Sequence, residues 1–319
     1  MTQSIAIIDV SGLSAHDPAA LQRIAAEIGR ACRDIGFFYV TGHDVATTLL
    51  DQVFAASQTL FTAEEATKSA VSISRSPHNR GYVGMKVEAL DPGKAPDLKE
   101  AFNIGLDLGP DDPEILAGMM FRGLNLWPDI PGFRATLTGY YEAVWRLGRD
   151  LHRAVALDLG LDAGYFEEKL DRPLAILRLL HYPPRPATME PGQLGAGEHT
   201  DYGNMTLLAT DNAGGLEVRT RNGQWMAAPY VPGAFICNIG DCLMRWTNDV
   251  YVSTPHRVVN PAGRERYSVA FFLDANPEAV VECLPTCRGS GEKYPPVTAA
   301  DYLRSRLDAT YAHRRETTG

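Results

Sequence analysis

The chain has 319 residues, 45% of them apolar and 22% charged, enough to bury a sizeable core in one large domain. A formal net charge of -9 leaves no overall basic face for nucleic acid or an anionic membrane, so a small molecule is the expected partner and the oligomeric state stays open. Five scattered cysteines form no disulfide framework. The pairs Cys237/Cys242 and Cys283/Cys287 lack the further ligands a zinc site needs, so buried thiols and a cytoplasmic setting are expected. The first twenty residues carry acids and no basic residue ahead of a short apolar run, so no secretory signal is expected, and no stretch has the length of a membrane span.

In chain order, residues 5–10 read as an apolar run. Asp17-Pro18 then offers a cap and a first-turn proline for a helix whose apolar face is Leu21, Ile24, Ala25, Ile28 and Cys32, up to Gly36. Residues 37–40 read as a strand, and Thr62-Ala63-Glu64-Glu65 as a capping box for a further short helix. Residues 74–100 are irregular, rich in Pro, Gly and charge, and could form a lid. A long helical pattern runs from about residue 133 to 159, with His152 beside its apolar stripe as a structural histidine. From residue 174 the pattern changes to short apolar runs at 174–182, 205–210, 216–218, 235–239, 258–259 and 267–273, separated by Gly, Pro and Asn turns. That spacing predicts a β sandwich or jelly roll, followed by a last helix near Thr298. The expected organisation is an amino-terminal helical and mixed region (1–125), a buttressing helix region (126–172), a β core (173–280) and a carboxy-terminal extension with a helix (281–319).

Two of the eight histidines stand out by their company: His199 in Glu198-His199-Thr200-Asp201, and His256 in Thr254-Pro255-His256-Arg257-Val258. Residues two apart on a strand point to one side, so His199 and Asp201 can present imidazole and carboxylate to one ion, and His256 can join from a later strand. Two histidines and a carboxylate on one face of an ion suit non-haem iron(II) with open positions for oxygen, although zinc accepts the same ligands. Ten residues beyond His256 stands Arg266-Tyr267-Ser268. Arg266 and Ser268 again share a side, and a guanidinium beside a hydroxyl cradles a carboxylate, of a ligand or of a structural ion pair.

His199-x-Asp201, His256 and Arg266-x-Ser268 together resemble the signature of the isopenicillin N synthase-like group of iron(II)/2-oxoglutarate-dependent oxygenases. The likeness extends over most of the chain: Gly36-Phe37-Phe38-Tyr39-Val40, Arg80-Gly81-Tyr82, Lys99-Glu100-Ala101-Phe102, Asn125-Leu126-Trp127-Pro128, Gly215-Leu216-Glu217-Val218 and Asn238-Ile239-Gly240-Asp241 look like segments of that group in the same order. The resemblance implies an α+β fold with a mainly β core, a cupin-like double-stranded β-helix flanked by helices. It also implies Fe(II) on His199, Asp201 and His256, with 2-oxoglutarate held at its far carboxylate by Arg266 and Ser268 and reached by the hydroxyl of Tyr182. Many plant members carry Asn two places before that tyrosine; here the residue is Leu180. His181 is either a pocket residue or structural.

The activity implied is oxidative decarboxylation of 2-oxoglutarate to succinate and carbon dioxide, using O2, coupled to hydroxylation, desaturation or ring closure of a small organic substrate. Tyr82, Phe102, Tyr202 and Phe271 are the expected pocket residues. Two other readings stand beside it: an oxidase of the same group that uses O2 without 2-oxoglutarate, and a non-catalytic metal-binding sensor that keeps the fold.

Overall fold

The first helix forms where the sequence places it. In the computed structural model, which describes residues 4–15, 17–91, 94–188 and 190–310, the Asp17 side chain accepts a hydrogen bond from Ala19 N (3.0 Å) and Pro18 opens α1 (Pro18–Asp34). Gly36, at φ +68, donates to the Ala31 carbonyl and turns the chain into a strand. That turn joins the helix to β2 (Phe37–Thr41), which pairs in parallel with β1 (Ala6–Asp9). The capping box expected at Thr62 is absent. Helix α2 (Thr47–Phe61) runs up to that residue, and the Thr62 hydroxyl donates back to Gln58 O (2.7 Å), so it ends α2; α3 (Glu65–Ala70) starts without a side-chain cap.

Within the segment read as irregular lies β3 (Gly81–Val83), and at its end begins β4 (Glu100–Ile104). After the single turn α4 (Pro113–Leu116), α5 (Phe133–Asp158) follows the predicted long pattern. It buries Leu137, Tyr140, Val144, Leu151 and Val155 on one face. Fully burying each such side chain is worth about 1.5–3 kcal/mol. Gly148 sits where a Cβ would fall 2.6 Å from Leu273 Cδ2, so a glycine inside the helix lets α5 lie close on the sheet. His152 is buried on this helix, with Nδ1 2.7 Å from Gly148 O and its ring edge-on to Phe166. Burial pushes its imidazole down to about 4.

The carboxy-terminal half supplies β5 (Ile176–Tyr182), β6 (Ala196–His199), β7 (Met205–Thr210), β8 (Leu216–Arg219), β9 (Trp225–Ala227) and β10 (Phe235–Ile239). It continues with α6 (Asp241–Trp246), β11 (His256–Val258), β12 (Arg266–Leu273) and α7 (Ala299–Thr310). One sheet has the order β1-β2-β10-β7-β12-β5-β4-β3 and a smaller one β6-β11-β8-β9. Four strands of the larger sheet thus come from the first 125 residues, so that region completes the β core as well as covering it with helices.

Strand alternation divides the interior in two. Phe38, Val40, Leu177, Leu179, Val269, Phe271 and Leu273 pack under α1, α2 and α5, while Phe37, Tyr39, Leu180, Tyr182, Ile236 and Ala270 face the smaller sheet with Leu216, Val218 and Val258. The result is the expected jelly roll, with a space between its sheets. No helix among the described residues is long and apolar enough to cross a membrane.

Candidate metal centre and co-substrate pocket

His199 ends β6 and His256 opens β11, and the antiparallel register sets them directly opposite each other, with ring centroids 4.3 Å apart. Asp201 follows two residues after His199. Its Oδ1 stands 3.8 Å from His199 Nε2 and 3.7 Å from His256 Nε2, and one ligand atom from each of the three residues falls within 4.8 Å of the others. Both Nδ1 atoms face backbone carbonyls, Gly197 O at 2.7 Å and Thr254 O at 3.1 Å. Hydrogen bonds there place the proton on Nδ1 and turn the Nε2 lone pairs toward Asp201. The other carboxylate oxygen, Oδ2, accepts from Asn238 Nδ2 (2.7 Å) and Thr206 Oγ1 (2.5 Å), which leaves Oδ1 for an ion.

The protonation states fit the same purpose. Burial alone raises the Asp201 carboxyl, but the imidazoles of His256 and His199 and the bonds from Asn238 and Thr206 outweigh it and hold it below the usual carboxylate range. Burial, followed by the neighbouring His256, pushes the His199 imidazole down. Neutral imidazole and ionised carboxylate are the forms that ligate a divalent ion. Two nitrogens and one oxygen on one side, with the opposite side open to a cavity, form the donor set that suits iron(II).

That cavity, of about 190 Å³, runs from the triad to Arg266 and Ser268. Arg266 is 1% exposed; Nη1 donates to Ser268 Oγ (3.1 Å), Nε to Gly214 O (2.8 Å), and the guanidinium lies over the Tyr182 ring at 4.6 Å. No carboxylate of the described residues pairs with it. Tyr182 is the register partner of Arg266 and presents its ring face to it, with no protein partner for the hydroxyl among the described residues. Leu180, the register partner of Ser268, adds an apolar wall where a polar side chain could have stood.

Of the four expected pocket residues, Tyr202 lines the cavity and three do not. Tyr82, Phe102 and Phe271 point to the helical side of the larger sheet, where the Tyr82 hydroxyl donates to Glu100 Oε2 (2.5 Å) and Phe102 and Phe271 pack on Phe133 and Tyr141. The reason is strand phase. Arg266 and Ser268 face inward, so Ala270, Phe272 and Asp274 follow them and Phe271 cannot. His181 also faces the helices, stacked between Phe61 and Tyr267 with Nδ1 2.7 Å from Glu100 Oε1, which makes it structural. The segment 74–100 contributes His78, Asn79, Arg80, Leu90 and Lys99 to the cavity wall, and α7 contributes Leu303 and Leu307. Sequence reasoning missed Arg80, Arg178 and Asp274; extending the period of two beyond Ser268 reaches the last of these.

The same organisation occurs in known proteins. Residues 5–130 match the model of the non-haem dioxygenase in morphine synthesis N-terminal region, and residues 173–275 that of the 2OG-Fe(II) oxygenase superfamily. The 2-oxoglutarate-Fe(II) type oxidoreductase hxnY of Emericella nidulans is 38% identical over 313 residues, covering 96% of this chain and 90% of its own. A homoarginine-6-hydroxylase of Oryza sativa subsp. japonica is 37% identical, covering 96% and 97%. A full-length Neurospora crassa protein, solved in complex with alpha-KG and with thymine, superposes with a TM-score of 0.85 at 34% identity and 96% coverage of both chains. The chain belongs to the 2OG-Fe(II) oxygenase superfamily, in its isopenicillin N synthase-like branch. It is an Fe(II)/2-oxoglutarate-dependent dioxygenase acting on a small molecule, and neither the 2-oxoglutarate-free oxidase nor the non-catalytic sensor is retained.

Proposed function

We propose that His199, Asp201 and His256 hold the iron, and that Arg266 and Ser268, with Tyr182 beside them, hold the far carboxylate of 2-oxoglutarate. The observation that carries this reading is the buried Arg266 guanidinium, without a carboxylate among the described residues, facing the same cavity as three converging ligand atoms. A buried cation without an anion is costly, and an anionic co-substrate relieves it. When bound, iron(II) supplies the activation of O2 and the decarboxylation of 2-oxoglutarate to succinate and carbon dioxide, coupled to oxidation of the prime substrate.

The protein's part is position and exclusion of water. Hydrogen bonds to Gly197 O and Thr254 O fix the two imidazole rings, and Asn238 and Thr206 fix the Asp201 carboxylate. Arg266 and Ser268 give 2-oxoglutarate one orientation along the cavity. Leu180, Leu208, Leu216 and Val258 surround that path with apolar surface.

The modest cavity between the sheets and the net charge of -9 favour a small organic substrate over nucleic acid, and five free, buried thiols fit the cytoplasm. The test is succinate formation by the iron-loaded enzyme with 2-oxoglutarate and each of a panel of small metabolites. Release that depends on iron and 2-oxoglutarate and is lost in Arg266→Met supports the reading. Release that persists in that variant with unchanged 2-oxoglutarate affinity refutes the Arg266 assignment.

A further inference from the structure

Beyond the metal site and Arg266, four further ionisable side chains line the cavity, and two of them are already paired. Arg178 pairs with Glu88, and Lys99 with Asp97 and Glu88. The other two have no counter-ion among the described residues. Asp274, 7% exposed, makes no hydrogen bond or ion pair there; its Oδ1 lies so close over Gly203 that a Cβ on that glycine would fall 1.7 Å away. Arg80, 3% exposed, donates among the described residues only to the carbonyls of His78 (2.9 Å) and Phe121 (3.3 Å).

Their places in the sheet are related. Asp274 follows Phe272, whose register partner on β5 is Ile176. The Arg80 guanidinium packs over Gly105, which follows Ile104, the register partner of Leu177. The two side chains therefore flank the start of β5 from either side, Asp274 after β12 and the Arg80 guanidinium over the end of β4, two strands that lie about two strand spacings, or about 10 Å, apart. Between them the wall is apolar: Leu174, Ile176, Phe121 and Phe272, with Leu303 and Leu307 from α7.

Burial pushes the unpartnered Asp274 carboxyl up to about 7, so it is costly to ionise alone, and an acid and a base left without counter-ions on one cavity are accounted for if a ligand completes both. The geometry points to a prime substrate with no net charge and two polar ends, an N–H donor against Asp274 and a carboxylate or carbonyl oxygen against Arg80, joined by an apolar middle. Zwitterionic ω-amino acids and lactam or imide heterocycles share this chemistry. Asp274 and Arg80 are then substrate-recognition residues at the far end of the cavity. This rests on the metal and 2-oxoglutarate sites lying where they are proposed above.

The test uses the enzyme loaded with Fe(II) and 2-oxoglutarate, titrated calorimetrically under nitrogen. The probes are 4-(aminomethyl)benzoate, with an ammonium and a carboxylate at opposite ends of a ring; 4-methylbenzoate and benzylamine, which each lack one end; and thymine, the neutral N–H and carbonyl version. At least one of the first and last is expected to bind about tenfold or more tightly than both one-ended probes. Asp274→Asn is expected to cut the preference for 4-(aminomethyl)benzoate over 4-methylbenzoate to within about threefold while still accepting the thymine N–H, and Arg80→Gln to do the same for its preference over benzylamine.

In both variants 2-oxoglutarate affinity stays within about twofold of wild type, so a failure here is separable from a failure of the Arg266 assignment. Removing the unpartnered Asp274 carboxyl also leaves the melting temperature of the ligand-free protein no lower than that of wild type. The inference is overturned if the four probes bind alike or none binds. It is equally overturned if the preference for 4-(aminomethyl)benzoate over 4-methylbenzoate survives Asp274→Asn, or if that variant melts well below wild type as a purely structural residue would.

Discussion

Replacing Arg266 with Met separates binding from stability, because the two should move in opposite directions. Methionine keeps most of the apolar stem and removes the charge, together with the bonds to Gly214 O and Ser268 Oγ. Truncating one side of a buried, hydrogen-bonded charge pair costs about 2–5 kcal/mol. Affinity for 2-oxoglutarate should therefore fall between about 30-fold and a few thousand-fold. In the ligand-free protein the same change removes a buried cation that no carboxylate among the described residues neutralises. The gain from losing an uncompensated charge offsets the lost hydrogen bonds, and the melting temperature should stay within about 3 °C of wild type.

Wild type at a co-substrate concentration of about 100 Kd should gain about 2.7 kcal/mol, or about 4 °C for a chain of this length, and the variant at most about 0.9 kcal/mol, or about 1 °C, at that concentration. Anaerobic calorimetry and thermal melts with and without 2-oxoglutarate read both quantities. Affinity within about threefold of wild type, or a ligand-free variant melting about 10 °C lower, would refute the reasoning: the first by showing that Arg266 does not hold the co-substrate, the second that it is a structural group.

Replacing His256 with Ala should abolish stoichiometric iron binding and iron-dependent 2-oxoglutarate consumption; metal content after gel filtration checks the first, and consumption that survived would sink the ligand assignment. Asn238→Ala and Thr206→Val each release Asp201 Oδ2 and should weaken iron about 10- to 100-fold in a competition titration with a chelator, with the fold intact by circular dichroism. His152 titrates near 4 when folded and near its ordinary 6.5 when unfolded, so its burial carries no penalty above pH 6.5 and takes stability away as pH falls toward 4. In His152→Asn, whose amide can still donate to Gly148 O, that penalty is gone. Urea unfolding of metal-free protein should show the variant gaining about 2 kcal/mol relative to wild type between pH 7.5 and pH 5, and an unchanged difference would exclude His152 as the source.

The parts of this molecule that could be read from the sequence are those in which one local period decides the outcome. His199 and Asp201 share a side because they stand two positions apart near a strand end, and Arg266 and Ser268 do so within β12. The long helix was legible because its apolar stripe keeps one period from Leu137 to Val155. Reading failed where residue type was put ahead of period. Tyr82, Phe102 and Phe271 were expected in the pocket because they are aromatic, yet each stands on the helical face of its strand.

It failed again where a long-range partner alters the meaning of a charge. Lys99 and Glu100 close the segment read as irregular and rich in charge, but Asp97 and Glu88 neutralise the first, His181, Tyr82 and Lys68 satisfy the second, and the chain can pass through the interior at the start of β4. No local pattern carries that information. The step from Arg266 to Asp274 needs only strand phase, however. An inward Arg266 sends positions 268, 270, 272 and 274 inward, so the residue that fixes the co-substrate also fixes which later side chains meet the prime substrate. A one-residue slip of β12 would turn all of them to the helices at once. Co-substrate binding and substrate recognition are in this sense two consequences of one register, and a variant that shifts the strand should lose both together, whereas Asp274→Asn should lose only the second.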